Sequence, residues 1–203
     1  MNSFEDFIMR LRKNDHGDFV ASASRILRQP GDWLEIARVG LSSLSDEKLQ
    51  KNIAATRVHN VQPCVFPIHV EAGQFSVVLN LYSKFEFDDL TKRGYVSPHY
   101  HHFSFCSRIL RGRFYHLVFQ NAGEPIRPSL MLTSGRWFRE GEVIELPYPT
   151  FHSVMEPEDS TVTLMIRGRP LFSMPHIGDP EFRIDQARSA RRQLEAALVD
   201  GVR

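Results

Sequence analysis

With 203 residues, 42% hydrophobic and 24% charged, the chain is long enough for one sizeable core and has the composition of a folded globular protein. Its 25 Lys and Arg nearly cancel its 24 Asp and Glu, so it lacks the global field that nucleic-acid or anionic-membrane binding would use. No apolar run approaches the roughly 18 residues of a spanning helix. The opening MNSFEDFIMRLRKND reads as a helix rather than a secretory signal. Two cysteines, Cys64 and Cys106, make no disulfide framework, and a cytoplasmic location is expected.

Residues 3 to about 56 read as helices. Asp18 is placed to cap a segment whose apolar residues Phe19, Val20, Ile26 and Leu27 recur at helical spacing until Pro30-Gly31 stops it. A second helix is expected from Asp32, carrying Trp33, Leu34, Ile36 and Ala37. A third begins near Ser45, with Leu49 and Ile53 one turn apart. From Cys64 the pattern becomes that of strands: CVFPIHV, FSVVLNLY, FSFCSRIL, FYHLVF, SLMLTS, EVIELP and TVTLMIR are short and rich in β-branched or aromatic residues. Turn residues separate them at Ala72-Gly73, Arg111-Gly112, Asn121-Ala122-Gly123, Glu140-Gly141 and Glu158-Asp159. Short strands at such intervals predict a sandwich or barrel. After Pro180 the pattern is helical again, and Ala187, Ala190, Leu194 and Leu198 form a stripe suited to packing or to a homodimer contact. The expected division is a helical extension at 1–60, a β-barrel at 61–175 and a helical tail at 176–203.

Four of the nine histidines bear on chemistry: His99, His101, His102 and His152. In an extended segment residues i and i+2 share a face, so His99 and His101 can converge while Tyr100 and His102 turn away. A third ligand must come from another strand. The segment GEVIELPYPTFHSV supplies His152, after a turn at Gly141 and a loop bounded by Pro147 and Pro149. Read alone, the HYHH cluster fits a surface feature equally well; the order of the two segments is what favours ligation.

Both segments resemble the two motifs of the cupin superfamily. The first motif, a glycine, His-x-His, usually an acid and a closing glycine, corresponds to GYVSPHYHHFSFCSRILRG from Gly94 to Gly112. The second corresponds to GEVIELPYPTFH from Gly141 to His152, with Pro149 where glycine is frequent. The resemblance covers about half the chain. It implies a mainly β cupin jelly-roll (a double-stranded β-helix) with N-terminal helices and a C-terminal helix. It also implies one metal ion on His99, His101 and His152: Fe(II), with Zn, Ni and Mn as alternatives. Where many cupins place a carboxylate ligand this chain has Phe105. Three neutral histidines would leave about three open positions on an octahedral ion such as iron. A closed structural zinc site would need a fourth protein ligand, which His102 could supply only if the strand bulged.

Among three-histidine cupins, the thiol dioxygenases look most similar, sharing His-x-His followed by an apolar strand and a Leu-x-Gly turn, here Leu110-Arg111-Gly112. Cys106, counted from His99, matches a cysteine that some members cross-link to a tyrosine in a downstream Ser-x-His-x-Tyr motif. This chain has TVTLMIRGRP there, which argues against the cross-link and against cysteine as substrate. Arg167 ends that strand, with Thr163 and Met165 on its face. It could grip a substrate carboxylate with two parallel hydrogen bonds, or sit in a surface salt bridge. Tyr115 is a second catalytic candidate, with Tyr100, Tyr148 and His116 in the polar surroundings. The resemblance thus implies an iron(II) oxygenase acting with dioxygen on a small polar, thiol- or amino-acid-like substrate, and neither nucleic acid nor membrane as partner. The alternatives are a non-catalytic ligand-binding or sensor cupin and a metal-dependent isomerase or lyase.

Overall fold

The computed structural model describes residues 3–13, 18–56, 64–82, 84, 98–124, 128–171 and 184–199. Four helices come first: α1 (Phe4–Lys13), α2 (Phe19–Leu27), α3 (Trp33–Ser42) and α4 (Asp46–Thr56). Two of them start where an aspartate accepts an orphan backbone N–H, Asp18 from Ala21 at 3.1 Å and Asp32 from Glu35 at 3.0 Å. Eight strands follow: β1 (Cys64–Glu71), β2 (Phe75–Tyr82), β3 (Phe105–Arg111), β4 (Arg113–Asn121), β5 (Leu130–Arg139), β6 (Val143–Leu146), β7 (Phe151–Met155) and β8 (Thr161–Arg167). Helix α5 (Ile184–Val199) closes the order. None of the described helices is long and apolar enough to cross a membrane.

The strands form two antiparallel sheets, a five-stranded one in the order β1-β2-β8-β3-β6 and a three-stranded one in the order β5-β4-β7. This is the mainly β sandwich with helices at both ends that the sequence led one to expect. Gly112 and Gly141, the glycines that close the first motif and open the second, adopt φ of 75° and 85°, a region open to glycine and strained for other residues. A side chain at Gly112 would also collide with Thr161.

Alternation along the strands separates two cores. On β8, Val162, Leu164 and Ile166 face outward and pack with Phe7, Leu11, Leu27 and Trp33 of the helices. Met165 faces between the sheets, with Val78, Phe105, Ile109, Phe114 and Phe138. Strand β2 is therefore buried along its whole length, one face under helices and the other in the sandwich. Each large apolar side chain buried this way stabilises the fold by roughly 1.5–3 kcal/mol. The N-terminal helices share this outer core with the sheet instead of forming a separate unit. Polar ties add to the packing: Arg108 Nη1 donates to the Leu27 carbonyl at 2.6 Å, and Asn52 Nδ2 to that of Pro67 at 3.0 Å. In α5, Leu194 and Leu198 enter the same core with Ala190 against it, while the Ala187 side chain lies outside the described residues.

One local expectation needs correction. The His-x-His segment is not a regular strand: β3 begins only at Phe105, and His99 forms a single isolated bridge. Strand β7 is short and carries His152 and Ser153 among its five residues.

Candidate metal centre

His152 sits on β7, bonded on one side to β4, where its Cα partner is Val118. On the other side its backbone exchanges two hydrogen bonds with His99, at 2.9 and 2.8 Å. That bridge places the first motif directly against the second. The segment after it is fastened at Ser104, whose carbonyl accepts from Gly168 N at 2.9 Å and whose Oγ accepts from Tyr148 N at 2.9 Å. His101 is carried inward as a result. The ring centroids of His99 and His101 are 5.0 Å apart, those of His99 and His152 4.6 Å, and those of His101 and His152 5.1 Å. One ligating nitrogen from each of the three lies within 4.8 Å of the others. His102 is outside this group, so the structure gives no bulge that would recruit it.

The nitrogens suit a divalent ion. His152 is buried, and its Nδ1 lies 3.0 Å from His116 Nε2, while its Nε2 is buried with no hydrogen-bond partner. A buried polar atom left bare costs roughly 1–3 kcal/mol, and a metal ion held with His99 and His101 would satisfy it. Burial, reinforced by the neighbouring His99 and by Arg167, pushes His101 down to about 3. Burial and the surrounding His99, His101 and His116 push His152 far below the usual imidazole range. Both rings are therefore neutral at physiological pH, the form that ligates. Imidazole donors without a carboxylate favour iron, nickel, copper or zinc over magnesium or calcium.

Phe105 holds the position of the expected missing carboxylate. It is buried, with its ring centroid 5.3 Å from His101 and 5.6 Å from His152, so this position does face the cluster. Cys106 points the other way, into the outer core beneath the helices, where burial raises its thiol well above the usual range. It is a free thiol on the face of β3 opposite the histidines. Tyr115 is likewise not brought to the site. Its neighbours Phe114 and His116 face inward, while Tyr115 packs edge-on against Trp137 with ring centroids 5.6 Å apart. Tyr100 is exposed and packs on Phe151. Arg167 does reach the surroundings of the cluster, its guanidinium over the ring of Phe103 at 5.1 Å.

His116 is the residue the sequence placed only loosely. If His152 Nε2 offers its lone pair to a metal, the ring proton must be on Nδ1 and is donated to His116 Nε2, which then carries its own proton on Nδ1. Burial, followed by the charge of Arg136, pushes His116 down to about 4, so it is neutral and can accept. Such partners fix the orientation and tautomer of a metal ligand, and their loss typically weakens the metal 10- to 100-fold. His116→Phe should weaken metal by about that factor, measured by competition with a chromophoric chelator. His116→Gln, which restores an acceptor, should recover part; equal affinity in all three proteins would mean that the ring pair has no part in holding metal.

No protein-family model matches the chain, and no curated protein is detectably similar to it in sequence. Solved structures that share local likeness include those of oxalate decarboxylase from Bacillus subtilis. One at pH 4.6 is 14% identical with a TM-score of 0.35, covering 50% of this chain and 22% of that one. A tryptophan-to-tyrosine variant of the same enzyme is 15% identical, again with a TM-score of 0.35 over 50% of this chain and 22% of that one. A third, from work on the Mn(II) centres of that enzyme, is 14% identical at the same TM-score of 0.35. The chain spans about a fifth of the length of these proteins, at 22%.

Proposed function

We propose that the protein is a metal-dependent cupin enzyme, a non-haem iron(II) oxygenase acting on a small polar substrate of thiol or amino-acid type. The observation that carries this reading is the convergence of three imidazoles with phenylalanine, not a carboxylate, at the fourth position. A divalent iron on three neutral ligands keeps its full charge and open positions, and supplies oxygen activation when bound. The chain itself contributes orientation and shelter. His116 holds His152 in one tautomer, the His99 bridge holds two ligands at one spacing, and Phe103 and Phe105 keep water from one flank of the cluster.

The test is metal analysis of protein purified without added metal, then loading with Fe(II), Mn(II), Ni(II) or Zn(II). Oxygen uptake is followed with a panel of small thiols and amino acids. Uptake that depends on iron and on one member of the panel is expected. A protein that holds zinc tightly and consumes no oxygen with any panel member would instead be a ligand-binding cupin with a structural metal.

A further inference from the structure

The helices cover the outer face of the five-stranded sheet, packing on β1, β3, β6 and β8. The three-stranded sheet presents its outer face instead. Phe114, His116 and Val118 of β4 point between the sheets, so Tyr115, Leu117 and Phe119 point out. Cross-strand partners share a face: Trp137 lies beside Tyr115, while Leu132 and Phe151 flank Phe119. Tyr100 continues the row, its ring centroid 4.8 Å from that of Phe151. A Cβ at Gly135 would come within 2.8 Å of both Leu117 Cδ2 and Tyr115 Oη, so these two side chains lie flat across β5. An antiparallel sheet with one face in water ordinarily turns polar residues outward. Here the outward positions between Arg113 and Asn121 are all aromatic or aliphatic, and Leu132 and Tyr100 are 55% and 46% exposed. A contiguous apolar face of this kind marks an interaction site.

Size, net charge and charge placement all fit a second copy of this chain. The face runs about 30 Å along β4 and about 15–20 Å across to Tyr100. That is the scale of the ~800 Å² per partner that a standard interface buries. The chain is nearly neutral, at +1, so two copies meet without mutual repulsion. Charge on this face is gathered at one end, where Arg113 and Arg139 are cross-strand partners and Arg113 pairs with Glu158. The end formed by Phe119, Leu132 and Phe151 carries none. A two-fold axis lying across the strands sets the arginine end of each copy over the aromatic end of the other, where a guanidinium is attracted to a ring face. An axis along the strands would stack the arginines on themselves. The stripe on α5 that suited a homodimer contact is spent elsewhere, since Leu194 and Leu198 lie in this chain's own core.

We propose that the outer face of the three-stranded sheet is the contact of a homodimer, two copies stacked sheet on sheet about the crosswise two-fold axis. The contact depends neither on the metal nor on the reaction.

The test is sedimentation of the full-length chain over a dilution series from ~100 µM to ~0.1 µM, since interfaces of this size bind with micromolar to picomolar Kd. Twice the chain mass is expected at the concentrated end. Leu132→Asp places a carboxylate in the contact from both copies and should weaken association by at least ~100-fold. The variant should keep its strand content by circular dichroism, because Leu132 lies exposed on the terminal strand of its sheet. Met9→Asp, at a similarly exposed apolar position on α1, should leave the dimer intact. Arg139→Glu should weaken the dimer, and mixing it with wild type should give no complex tighter than the wild-type dimer. A mixed dimer tighter than either parent would mean stacked arginines and overturn the axis. A wild-type chain that stays monomeric throughout the series would overturn the homodimer and leave the face to a different protein. That outcome is read on the wild-type chain, so it holds even if a variant misfolds. A dimer equally stable in Leu132→Asp would place the contact elsewhere and overturn the proposal as well.

Discussion

Replacing His152 with alanine should strip the protein of nearly all bound metal, while His102→Ala should leave metal content unchanged. His152 is the most deeply buried of the three converging histidines, and its Nδ1 lies 3.0 Å from His116 Nε2. Its removal takes away one nitrogen of three and leaves His116 without its partner. The affinity loss should exceed the ~10–100-fold that follows from losing an orienting partner alone. The fold should survive, because the bridge to His99 uses backbone atoms that alanine also has. Metal quantified per folded protein is the measurement. Full occupancy in His152→Ala together with loss in His102→Ala would overturn the ligand assignment.

Phe105→Glu should act in two opposite directions. In the metal-free protein it buries a carboxylate among Phe103, His101 and His152, at a cost of about 2–3 kcal/mol after partial pairing with Arg167 across the strand. For a chain of this size that lowers Tm by roughly 5–10 °C. With metal present the same carboxylate supplies a fourth ligand, so added metal should raise Tm more in the variant than in the wild type and should leave more slowly to a chelator. Any oxygen uptake should be lost, because an open position is filled and Arg167 is neutralised. Unchanged metal retention and activity would show that a side chain at 105 does not reach the ion.

Much of the architecture was legible in the sequence because local chemistry and fold agree. Asp18 and Asp32 announce helix starts that the structure caps with their carboxylates. Gly112 and Gly141 mark turns that need positive φ. The histidines were legible through their spacing, although they converge by a different route. A backbone bridge at His99 and anchoring at Ser104 do what a regular strand was expected to do. The rest depended on which face of a strand is inward. Strand β4 carries an aromatic ring on each face, so alternation alone does not decide between Tyr115 and His116. The pairing of β4 with β7, which sets His116 beside His152, decides it. Cys106 poses the same problem on β3, where both faces are buried and only the helices overhead show which face is outer. The helices themselves read as an appended segment, yet their apolar stripes complete the core of the five-stranded sheet.

The separation of the two cores has a consequence for how such a chain can change over evolutionary time. Most of the large buried side chains lie between helices and sheet, remote from the histidines. The smaller set between the sheets lines the site and already includes polar residues, among them Asn80, Ser107 and Thr163. Substitutions on the inner face therefore draw on a reserve of stability held elsewhere, and distant positions of this kind combine nearly additively. The inner lining can be re-tailored for a new small molecule residue by residue while the outer core keeps the scaffold folded, which makes this a chain well suited to acquiring new ligands.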